Sequence, residues 1–205
     1  VALQRAAFVC GEQDASSSLV LAKKILNEIT RDLLELCWSD KATSEQATHA
    51  YIAAFMQIPP GSAQQSAAKE LLSIVLQDIG NRALLVYVLP FIQAAFSAMA
   101  DADSSPDTAD VVEEALNHFL SLESIRPDDQ ALWKQYCELV VALMAALHRT
   151  DRVRATNLLL KCIEKLAPHM QSLSYSAASD SAHALQRIFE TCIDTGVVGA
   201  ALAKL

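Results

Sequence analysis

The residues able to carry acid–base, nucleophilic or metal chemistry are dispersed along this chain. The five histidines, His49, His118, His148, His169 and His183, stand apart from one another. The five cysteines, Cys10, Cys37, Cys137, Cys162 and Cys192, form no CxxC and no Cys–His pair at metal-ligand spacing. Odd in number and set in apolar contexts such as "ELCW" and "LKCI", they read as buried, reduced thiols of a cytoplasmic or nuclear protein. No glycine-rich phosphate loop, GxSxG elbow or HExxH is present. Adjacent Asp128 and Asp129 would face apart on a helix and read as capping residues. Asp101 and Asp103 share a loop, without further ligands at calcium-site spacing. The expectation is no catalytic residue, no metal and no cofactor.

The densest charge cluster lies at the head of "RTDRVRATNLLLKCIEKLAP", residues 149–168. It reads as a helix start. Thr150 is expected to cap the helix through its hydroxyl. Asp151 then falls in the first turn, where the helix dipole favours a negative charge. Val153 is expected to point inward with Leu158, Leu159, Leu160 and Ile163. Arg154 is expected to reach an acidic residue of an adjacent element, with Arg149 and Arg152 exposed beside the turn.

Positioning such residues requires helices. The chain has 205 residues, 52% of them hydrophobic and 20% charged, with only 5 glycines and 6 prolines. Apolar residues recur at helical spacing throughout, and strand-like alternation is absent. Helices are expected from about 16 to 38 and from 43 to 58, stopped by "IPPG", and from Ser62 to Gly80. A further helix runs over 83–100, and a polar loop over 101–110 ends in a cap at Asp107 or Thr108. The next helices follow from there to Leu122, from Pro127 to Leu147, over 149–168, and from 182 to 196 after a polar loop at 172–181. The uncharged stretch 83–100 just reaches the length of a membrane span. Pro90, Gln93 and Ser97 inside it, with Asp101 and Asp103 following, read instead as a Pro-kinked core helix. A net charge of −8 repels phosphate backbones, so nucleic acid is not the expected ligand.

About eight antiparallel helices with short connections can bury their stripes only on one another, so the fold class is all-α. Asp151, Val153 and Arg154 resemble the head of the second helix of a HEAT repeat, an aspartate in the turn followed by Val-Arg and an Ala/Leu-rich run. The resemblance is to the HEAT/armadillo superfamily, and it is best over residues 129–168. "DTADVVEEALNHFL" keeps the aspartate and valine but has Glu113 where arginine is usual. Such repeats use the aspartate and arginine as a ladder between units, which would give Thr150, Asp151 and Arg154 structural roles. The resemblance implies an α–α superhelix over 1–205, a single segment of a longer solenoid, with both ends reading as pieces of further helices. It also implies a non-catalytic scaffold for protein partners, which the acidic balance would extend to a basic segment. A tryptophan in a turn with basic neighbours would make Trp38, Lys41, Arg149 and Arg152 partner-binding. A karyopherin-type transport receptor, a helical enzyme and a membrane-associated helical protein are the rival readings.

Overall fold

The computed structural model of the chain describes residues 62–77, 82–171 and 175–193. Among the described residues there are six α-helices and no strand, so the protein is all-α here. They are α1 (Ser62–Gln77), α2 (Arg82–Ala102), α3 (Pro106–Ser121), α4 (Gln130–Thr150), α5 (Arg152–Leu166) and α6 (Tyr175–Ile193), with a 3-10 segment (Ala167–Gln171) between the last two. The helices expected before residue 61 lie outside the described residues, as do the two chain ends. The chain divides into two compact units, residues 1–99 and 100–205. The expected single segment spans both.

In the first unit, α1 buries Ala67, Ala68, Leu71 and Leu72. Helix α2 buries Leu89, Ile92, Ala95, Phe96 and Met99, a stripe at the spacing of one helix face. Pro90 lies inside α2, where it cannot donate to the carbonyl one turn back. Among the described residues, no helix is long and apolar enough to cross a membrane.

In the second unit the helix starts depart in detail from expectation. Helix α3 is capped by Ser105, not by Asp107 or Thr108, and Pro106 takes the first helical position. The ring of Pro106 presets the backbone for that position, which moves the start upstream. Helix α4 is capped by Asp129, whose carboxylate accepts from Leu132 N at 3.1 Å. Pro127 precedes the helix rather than lying in its first turn. Helix α5 ends at Leu166, short of Pro168, which has no N–H to continue the bonding.

Helix α6 starts at Tyr175, well inside the stretch expected to be a polar loop. Packing explains why. Ala177 and Ser181 are fully buried. The Ser181 hydroxyl donates to Ala177 O at 2.8 Å and accepts from the indole Nε1 of Trp133 at 3.1 Å. The polar residue there is a seat for a core tryptophan.

Helix α4 is the centre of this unit. It packs against α3, α5 and α6, and α3 and α6 each also pack against α5. It therefore buries far more than one stripe, including Leu132, Trp133, Tyr136, Leu139, Val140, Leu143 and Leu147. Early in α4, the Tyr136 hydroxyl donates to Phe119 O near the end of α3 at 3.0 Å, so the chain reverses between them.

Candidate functional site

The turn between α4 and α5 is one residue long. Asp151 has extended backbone angles, φ −150° and ψ 101°, and ends one helix while starting the other. Its N–H donates to Leu147 O at 2.6 Å. Its carboxylate Oδ1 accepts from Val153 N and Arg154 N, both at 3.0 Å. Asp151 is thus the cap of α5, one position beyond the Thr150 expected from sequence. Thr150 still belongs to α4 and donates its hydroxyl to the carbonyls of Ala146 and Leu147, at 3.2 and 3.1 Å. That bonding back into the preceding turn removes the hydroxyl from α5. Val153 is 70% exposed rather than inward. With the helix beginning after Asp151, the inward stripe is Ala155, Leu158, Leu159, Cys162 and Leu166.

Arg154 lies across the outside of the seam between α5 and α3. Its guanidinium pairs with Asp110 and with Glu113 at 3.1 Å, and with its own cap, Asp151, at 3.2 Å. The hydrogen bond to Asp110, aided by all three carboxylates, raises its already high pKa, so it is a permanent cation. About a third of the side chain (32%) faces solvent, which screens these attractions. Farther along the same seam, Lys161 Nζ donates to Asn117 Oδ1 at 2.8 Å and Lys165 Nζ to Leu122 O. The cross-helix partners are 44, 41, 44 and 43 residues apart. A nearly constant difference between contacting residue numbers means the two helices run parallel and in register.

Helices α4 and α6 repeat this relation. Trp133 meets Ser181 and Glu138 meets Arg187, at separations of 48 and 49. The Arg187–Glu138 pair is 2.6 Å long. Between these two helices lies a groove of about 270 Å³, lined by Lys134, Cys137, Glu138, Asp180, His183 and Arg187. That is smaller than most ligand pockets, and its wall mixes polar groups with the apolar Val141 and Ala184. Asp180 Oδ2 is buried without a hydrogen-bond partner. The Cys137 thiol is pushed up to about 12 by burial first, then by Asp180 and Glu138. Burial likewise pushes Cys162 up to about 12. Both thiols are therefore protonated at neutral pH and poor nucleophiles.

The remaining candidates are scattered. Arg149 pairs with Asp101 at 2.9 Å. Arg152 is exposed, and no described ion pair uses it. Trp38 and Lys41, like His49, lie outside the described residues. Both oxygens of Asp103 accept bonds, from Ser105 and Thr108, so this loop aspartate is committed to starting α3. His169 packs its ring edge-on against Trp133, 4.7 Å between centroids. His148 Nε2 is buried and has no hydrogen-bond partner. No group of three His, Cys, Asp or Glu side chains among the described residues could hold a metal ion.

Sequence reasoning missed Asp110, Glu113, Lys161, Lys165, Glu138 and Arg187. Only the distance along the chain could have found them. Each cation has an acceptor 41 to 49 residues upstream, a separation visible only once one contact is known. Comparison of the chain with protein-family models, with curated proteins and with solved structures finds no match.

Proposed function

We propose that this chain is a segment of a non-catalytic interaction scaffold, a stack of antiparallel helix pairs of the HEAT or armadillo type. The observation that carries the reading is the register. One row, α3 and α5, runs parallel at a spacing of 41–44 residues, and the other, α4 and α6, at 48–49. Helices that alternate between two parallel rows are what a stacked repeat produces. In this reading Asp151 and Arg154 tie neighbouring pairs together, and chemistry is left to partners.

The partners are other proteins, held along one row of helices. A net charge of −8 favours a basic segment. Buried, protonated cysteines accord with a cytoplasmic or nuclear setting. Arg149, Arg152, Trp38 and Lys41 are the proposed contact residues. The test is affinity capture on the immobilised chain at low and moderate salt, with Arg152→Glu in parallel, followed by mass spectrometry. The reading expects a defined protein, released as salt rises and weakened by the charge reversal. No protein at either salt, or a metal or small molecule carried by the purified chain in native mass spectrometry, would overturn it.

A further inference from the structure

We draw no further inference here: the strongest candidate, the groove between α4 and α6 with Asp180 in its wall, is lined by Lys134 and Arg187 as well as by Glu138 and Asp180, so its charges cancel and nothing in the structure shows what fills it.

Discussion

At the scale of single residues, Asp151 uses one carboxylate twice, capping α5 and pairing with Arg154. The two roles can be separated. Asp151→Ala removes both and should cost about 0.5–2 kcal/mol from the cap alone. Asp151→Asn keeps the acceptor and loses only the charge, so it should cost clearly less. Arg154→Ala should lower the melting temperature. In urea titrations, the double variant Asp151→Ala/Arg154→Ala should lose less than the sum of the single losses, because the residues share one network. Strict additivity would remove the network. The head of α5 and the acidic character of its arginine's partners were legible in the sequence. Which of two adjacent capping residues does the capping was not. That is decided by α4 running on through Thr150, whose hydroxyl turns back to Ala146 and Leu147.

A second residue prediction concerns pH. Burial foremost, then Arg152 and Arg149, holds the His148 pKa below 6.5. A depressed histidine pKa means the unfolded chain binds more protons than the folded one in the interval just below 6.5. Stability from this group is therefore complete above about pH 6.5 and is lost as pH falls through the folded value. His148→Gln should flatten that part of the curve, measured as melting temperature from pH 7 to 5. An unchanged slope would show that His148 does not contribute.

At the scale of elements, two hydrogen bonds join α4 to its neighbours and differ in what their loss leaves behind. Ser181→Ala strands the buried indole N–H of Trp133, which should cost about 1–3 kcal/mol. Tyr136→Phe strands less, because Phe119 O still accepts from Leu122 N at 3.3 Å. It should cost about 1 kcal/mol. Urea unfolding with an unchanged slope is the measure, and the reverse order would contradict these roles. Helices α3, α4 and α5 were legible from periodicity because each carries an apolar stripe. The first turns of α6 were not. Their serines look like loop until Trp133 is placed against them, and that contact spans 48 residues.

At the scale of the whole molecule, composition, with only 5 glycines, already argues against a sheet protein, whereas the row spacing is invisible until contacts are known. The arrangement of rows is the central claim, because the scaffold reading follows from it. Methyl-to-methyl and indole-to-aliphatic nuclear Overhauser effects on the isotopically labelled chain test it most directly. The account predicts cross-peaks between α3 and α5 whose residue numbers differ by about 41–44, and between α4 and α6 by about 48–49, including Trp133 Nε1–H to Ser181. Cross-peaks between these helices whose residue numbers instead add to a constant would mean antiparallel neighbours and would contradict it.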